Sequence, residues 1–418
     1  KNKAYYKYKR HQTEENKINF KRLRAVARRT IKQSKQESWL SFVSTLNNQT
    51  PTSVVWERIN KIKGCNNYQQ ILTLYNVNDD INVNKPQDIA DLLADTFSEI
   101  SSDSSYNKTF LEYKKMSEDL DLHKIFSDTN INFNDKFNLN ELQDVIKQSG
   151  KSSPGPDNIP YEFFKQFPFE GLVYLNKLYN YIWSQKVFPE QWTNAIITPI
   201  SKPNKDKTLP ENYRPIALTN TMCKLMEKMV NKRLRWTLET NNFFVEEQNG
   251  FRQFRSVNDN LIILESEILN AFYNNQHLIT ISLDIHKAYD TVWRKYVIKT
   301  LMDNQITGNM LSFIYNFLQL RKIQVRINGV LSKTVSLQNG LPQGSVLSVT
   351  LFLVAINGII SFINLPVKAC LFADDLLIFS KGKNIFTTQE ILQLTLEKLT
   401  KWTEQTGFKC STNKTKCI

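Results

Sequence analysis

VKACLFADDLLIF, residues 367–379, reads as two apolar strands joined at a turn whose tip is the adjacent acids Asp374 and Asp375. Asp-Asp is not a pair that a tight hairpin prefers. Two like charges side by side at a strand tip repel unless a cation lies between them, and a hard divalent ion such as Mg²⁺ is held by carboxylate oxygens. A solvated acidic turn is the plainer alternative. Upstream, LITISLDIHKAY (278–289) is an apolar strand that delivers a third carboxylate, Asp284, at its C-terminal end, just before a helix containing Trp293 and Tyr296. If these elements are neighbours in one sheet, three carboxylates converge on one point. That arrangement can clamp two metal ions ~4 Å apart for in-line phosphoryl transfer. Asp290, at the start of the helix, reads as a capping residue.

Between the two acidic strands lies GLPQGS (340–345), a turn leading into a long helix. Its glycines and the helix N-terminus would admit a phosphate-bearing or sugar-bearing ligand closely. An ordinary Ser-capped helix start is the alternative.

The rest of the chain bounds the setting. Its 418 residues are 41% hydrophobic and 22% charged, the make-up of a soluble globular protein. The net charge of +14 is concentrated: residues 1–40 hold 13 Lys or Arg against three Glu. Charge so placed suggests a polyanion partner, with a solvated helical tail as the alternative. The span from Phe20 to Leu40 lacks proline and glycine and predicts a helix with a wide cationic face. Cys65, Cys223, Cys370, Cys410 and Cys417 are odd in number and scattered, without a C-x-x-C pair, which argues against a disulfide framework or zinc site and fits a reducing compartment. The longest apolar run, Leu351 to Ile363, is interrupted by Asn357 and Ser361 and falls short of the roughly 20 residues that span a bilayer. No membrane segment or signal peptide is expected. A first residue that is lysine and a last stretch without a cap or tail read as ends cut from a longer chain.

Residues 64–140 are rich in Asn, Asp and Ser around one helical stretch, Pro86 to Ile100, and read as a connecting region. From Leu139 onward helices alternate with apolar strands. Strands are predicted at Leu278–Ile285, Ile323–Asn328, Val367–Ala373 and Leu376–Phe379. Helices are predicted at Leu172–Ser184, Thr221–Thr240, Asp259–Tyr273, Asp290–Met302, Ser345–Phe362 and Gln389–Thr406, with turns at Ser153–Asp157, Pro199–Pro210 and Asn339–Pro342. The fold class is α+β.

Together SLDIHKAYDTVW (282–293), GLPQGSVLS (340–348), FADD (372–375), PISKPNKDKTLPENYRPIALT (199–219), QNGFRQFRS (248–256) and KSSPGPDNIP (151–160) resemble the reverse transcriptases of non-LTR, LINE-type retrotransposons, most closely the jockey-like elements. The resemblance implies a right-hand polymerase with a basic helical arm (1–63), a connecting region (64–140), fingers (141–265) and a palm (266–418) whose antiparallel sheet is flanked by helices, the thumb being missing. It implies an RNA-directed DNA polymerase that transfers deoxynucleotides onto a primer 3′-hydroxyl. Asp284, Asp374 and Asp375 match the ligands of two Mg²⁺ ions, for which Mn²⁺ can substitute. Tyr289 matches the gate under the incoming sugar, and Gln343 and Gly344 the motif that touches the nucleotide and template. Lys202 and Arg214 match the basic pair on the triphosphate. Lys414, in preference to Lys416, matches the lysine that protonates departing pyrophosphate, and Arg252 would face the template backbone. The implied partners are an RNA template, a DNA primer or target and deoxynucleoside triphosphates. The implied location is intracellular, in the nucleus or cytoplasm, with the nucleus expected of the family.

The chain departs from the pattern at Asn204, Gln253, Phe254 and Val349. Rival readings are a catalytically decayed nucleic-acid-binding remnant and another right-hand polymerase: a group II intron maturase, a telomerase subunit or a viral RNA polymerase. Tyr289 disfavours the last, which must make room for a 2′-hydroxyl.

Overall fold

A computed structural model describes residues 2–46, 55, 59 and 71–418 except 78, 118 and 130. Cys65 and most of the stretch joining the expected arm to the connecting region lie outside the described residues. The chain divides into two compact units, Lys1–Gln69 and Gln70–Ile418.

In the first unit, helix α1 (Asn2–Arg10) is followed by α2 (Glu14–Ser44), which contains the predicted basic helix and extends it at both ends. Thr13 caps α2 by accepting from the amide of Asn16. Tyr8 stacks on Phe20, pinning one helix to the other. None of the 31 residues of α2 is buried, so at ~1.5 Å per residue it is an exposed cationic rod roughly 45 Å long.

The second unit opens with a short antiparallel pair, β1 (Leu74–Asn76) and β2 (Ile81–Val83), followed by α3 (Pro86–Ser101), α4 (Lys108–Met116), α5 (Leu122–Phe126), α6 (Leu139–Gln148), α7 (Tyr161–Lys165) and α8 (Phe169–Ser184). Next come β3 (Asn194–Ser201), β4 (Tyr213–Leu218), α9 (Thr221–Thr240), α10 (Val257–Tyr273), β5 (His277–Asp284), α11 (Arg294–Asp303) and α12 (Gly308–Leu318). The chain continues through β6 (Lys322–Ile327), β7 (Val330–Leu331), β8 (Val335–Ser336), α13 (Val346–Ile356), β9 (Lys368–Phe372), β10 (Asp375–Gly382), α14 (Ile385–Thr406) and β11 (Lys416–Cys417).

Two larger sheets carry the architecture. One is antiparallel, in the order β11-β5-β10-β9. The other is mixed, with β4 antiparallel and β6 parallel to β3, and the short β7 and β8 paired to β6. Helices cover both sheets, and the α+β class is observed. Strands β3 and β4 run through a stretch whose prolines mark it as turn. Pro199 and Pro215 face each other in the β3–β4 register. Proline is tolerated there because β4 is an edge strand and the β3–β6 pairing ends at Ile197, so neither proline removes a second ladder bond.

The stretch read as a connector is part of the compact body. Helix α3 buries Ile89, Ala90, Leu93, Ala94 and Phe97 against Ala195, Ile197, Ala217, Ile323 and Val325 of the mixed sheet. Helix α13 is buried along almost its whole length, as an all-round apolar helix must be. It ends at Ile356, and a 3₁₀ segment, Asn357–Phe362, replaces its predicted last turns. Asn357 turns out of the helix to accept from Val245 N and donate to Phe243 O, tying the loop after α9 to this point.

Candidate active site

Strand β5 carries Asp284 as its last residue and β10 carries Asp375 as its first, and antiparallel register sets these two directly opposite each other. Phe372 pairs with Asp375, leaving Ala373 and Asp374 as the two residues of the turn. Ala373 has φ +56°, a left-handed conformation that alanine disfavours and glycine normally supplies in such turns. Asp374 is half-buried and Asp375 exposed. Burial first, then the neighbouring acids Asp375 and Asp284, push the Asp374 carboxyl above the usual carboxylate range. Burial and then Asp284 do the same to Asp375. The acidic cluster is thus charged at a cost that a cation would relieve.

The chain itself supplies one cation. Lys414 Nζ lies 2.9 Å from both carboxylate oxygens of Asp284. The turn before β11 holds it there: Ser411 N donates to Asp284 O, His286 N to Lys409 O, and Lys416 pairs with Ser282 in the sheet. Lys414, and not Lys416, therefore reaches the acids. Among the described residues no group of three or more His, Cys, Asp or Glu side chains is arranged, as it stands, to hold a metal ion. The donor set nonetheless fits a hard divalent ion, because three carboxylates stand at adjacent strand ends, two are electrostatically frustrated and the third is held by a displaceable ammonium.

Asp284 and Asp374 form one wall of a pocket of roughly 400 Å³ whose other walls include Lys202, Arg214, Lys287, Tyr289, Gln343 and Lys414. Lys202 follows β3, its amide donating to Asn212 O and its ammonium to Glu211 O, while Arg214 is exposed on β4. Burial, then the proximity of Lys287, lowers the Lys202 pKa. Burial and then four lysines lower that of His286. Cations so crowded favour an anion among them.

The Tyr289 ring stacks on Phe352 of α13 at 4.5 Å between centroids and 16° between planes, and Tyr289 O accepts from Leu341 N. Gln343 Nε2 donates to Asp290 Oδ1 at 2.7 Å, and Gln343 O accepts from Ala217 N of β4. Gly344 has φ +110° and abuts Ala217 O, where a side chain would be both strained and crowded. The loop before them is fixed by buried Arg294, whose guanidinium donates to the carbonyls of Leu337, Asn339 and Gly340.

Two local expectations are corrected. Asp290 caps no helix: α11 begins only at Arg294, and the Asp290 carboxylate serves Gln343 instead. Burial pushes its pKa up to about 6. The N-terminus of α13 is neither Ser-capped nor open to a phosphate. Buried Glu227 of α9 accepts from Ser345 Oγ and from the amides of Val346 and Leu347, occupying the donors that an anion would need.

Seven of the ten site residues picked out from sequence line this pocket, and Asp375 and Gly344 adjoin residues that do. Arg252 does not join them. Its guanidinium clasps Glu239 with two nitrogens and donates to the carbonyls of Val245 and Gln248. Lys287, Glu227 and Arg294 were not singled out from sequence, where each reads as one more charged residue among many.

The sequence profile of the reverse transcriptase (RNA-dependent DNA polymerase) family matches residues 200–418, which include every one of these site residues. The chain belongs to the reverse transcriptase family. Similar reverse transcriptases include the probable RNA-directed DNA polymerase from transposon BS of Drosophila melanogaster, 32% identical over 215 residues, covering 51% of this chain and 24% of that protein. The RNA-directed DNA polymerase from mobile element jockey of the same organism is 27% identical over 286 residues, covering 66% and 31%. The matched region thus spans between about a quarter and a third of these relatives. Among solved structures, a truncated apo telomerase from Candida tropicalis overlays with TM-score 0.41 at 14% identity, covering 58% of this chain and 55% of that one.

Proposed function

We propose that this chain is the fingers (141–265) and palm (266–418) of an RNA-directed DNA polymerase of a non-LTR retrotransposon, joining a deoxynucleotide to a primer 3′-hydroxyl on an RNA template. The observation that carries this reading is the convergence of Asp284 and Asp374 with Lys202, Arg214 and Lys414 on one pocket, with Asp375 directly across from Asp284.

Asp284, Asp374 and Asp375 would hold Mg²⁺, or Mn²⁺ in its place, and the bound metal would neutralise charge on the reacting phosphate and acidify the attacking hydroxyl. Lys202 and Arg214 bind the triphosphate, Arg as a fork and Lys as a point charge. Tyr289, braced by Phe352, presents its ring beneath the sugar and leaves no space for a 2′-hydroxyl. Gln343, whose amide nitrogen donates to Asp290, would offer its side-chain oxygen as an acceptor for the nucleotide. Lys414 balances Asp284 before the substrate arrives and, once released, is placed to give a proton to pyrophosphate.

The exposed α2 rod, with its excess of Lys and Arg, supplies sequence-independent grip on nucleic acid. Among the described residues no helix is long and apolar enough to cross a membrane, and the nucleus is the proposed site of action. Extension of a primer on an RNA template with deoxynucleotides and Mg²⁺, lost on replacing Asp284, tests the proposal. Extension that persists without Asp284 contradicts it.

A further inference from the structure

The acidic turn is not self-supporting. Ala373 holds φ +56° without being glycine, and its position sets the direction in which Asp374 and Asp375 leave the hairpin. The segment QNGFR (248–252) packs directly against it. Gln248 is 1% exposed. Its Oε1 accepts from Ala373 N at 3.0 Å and from Gly250 N at 2.8 Å, and its Nε2 approaches Ala373 O at 3.4 Å.

The contact continues along the backbone: Asn249 N donates to Leu371 O, and Leu371 N to Glu247 O, which adds a parallel bridge outside β9. Gly250 lies so close that a Cβ there would overlap Ala373 N. Arg252 closes the loop from behind, holding the carbonyls of Val245 and Gln248 while paired with Glu239 of α9. The polar groups of this loop named here are spent on the hairpin, on the loop itself or, for Arg252, also on Glu239.

We infer that Gln248 is a positioning residue for the metal-binding turn: with Gly250 and Arg252 it clamps Ala373 in its left-handed conformation and so aims Asp374 and Asp375 at the metal. The inference rests on the proposed function. A side chain that orients metal ligands without touching the metal commonly governs metal affinity by about 10-fold or more.

The test is Mn²⁺ binding to the full chain, followed by electron paramagnetic resonance of the free ion, with melting and primer-template binding measured alongside. Gln248→Met keeps the volume and removes the acceptor. It is expected to weaken Mn²⁺ binding ~10-fold while primer-template affinity stays unchanged. Gly250→Ala, whose Cβ would press on Ala373 N and on Gln248 Oε1, is expected to act in the same direction. Adding Ala373→Gly to Gln248→Met is expected to restore part of the loss, since glycine adopts positive φ unaided. A folded Gln248→Met chain that binds Mn²⁺ as tightly as the unaltered one would overturn the inference. Should Gln248→Met not fold, unchanged binding by Gly250→Ala overturns it equally. If the unaltered chain binds no Mn²⁺, the proposed function fails and the clamp with it, so the two failures are distinguishable.

Discussion

Asp375 stands directly across the antiparallel sheet from Asp284, two carboxylates in one cross-strand pair. Like charges so placed destabilise a sheet, and burial first, then Asp284, raises the pKa of Asp375. Lys414 offsets part of it by gripping Asp284 through both oxygens. A strand pair built purely for stability would put Val or Thr at such positions. The pairing makes physical sense as a site that binds a cation.

Tyr289 is braced from behind by Phe352 and lines the pocket in front. Tyr289→Val should raise the relative use of ribonucleotides by roughly 10-fold or more, read as the ratio of kcat/KM for ribo- and deoxynucleotides. Losing the stacked pair should also cost about 1 kcal/mol of stability. An unchanged ratio would remove Tyr289 as the discriminating side chain.

The Asp290 carboxyl has its pKa raised by burial to about 6 in the folded chain against an ordinary 3.8. A raised pKa favours folding below the unfolded value, and that contribution is lost as pH climbs through the folded value. Asp290→Asn keeps the acceptor for Gln343 and removes the charge. Its Tm should exceed that of the unaltered chain by about 2 °C or more at pH 8, with the gap closing toward pH 5. A gap independent of pH would show that the buried charge carries no cost.

Arg252 is committed to Glu239 and two carbonyls. Arg252→Ala should therefore lower Tm and leave the salt dependence of template binding unaltered. A side chain on a template phosphate would instead flatten that dependence by ~0.7 in log–log slope on a single strand. Binding across a salt series decides between the two.

Deleting residues 1–40 removes 13 Lys or Arg, most of them on the exposed α2 helix. The same slope should then fall by several units, since each neutralised phosphate contributes ~0.7. An unchanged slope would show that the arm makes no phosphate contacts.

The catalytic half of the fold was largely legible in the sequence because its strands are short apolar runs ending in acids. β5, β9 and β10 fall within a few residues of their predicted limits, and the three aspartates come together as their spacing suggests. The strands β3 and β4 were hidden by Pro199 and Pro215, whose cost depends on an edge position that local sequence does not show. The connecting region looked loose because it is rich in Asn, Asp and Ser, yet α3 buries a full apolar stripe and Ser101, Lys114 and Asn134 are buried as well. Glu227, Arg294 and Gln248 act through backbone groups 43 to 125 residues away, and no local pattern marks such partners.

Asp284 and Asp375 are expected to serve chemistry and not grip. Single-turnover extension of a primer on an RNA template, with Mg²⁺ and deoxynucleotides, should be slowed more than about 100-fold in Asp284→Ala and in Asp375→Ala. The affinity of each variant for primer-template should stay within ~3-fold of the unaltered chain, because that grip comes from basic residues elsewhere. Extension at the original rate by either variant, or loss of binding in proportion to loss of rate, would contradict the account.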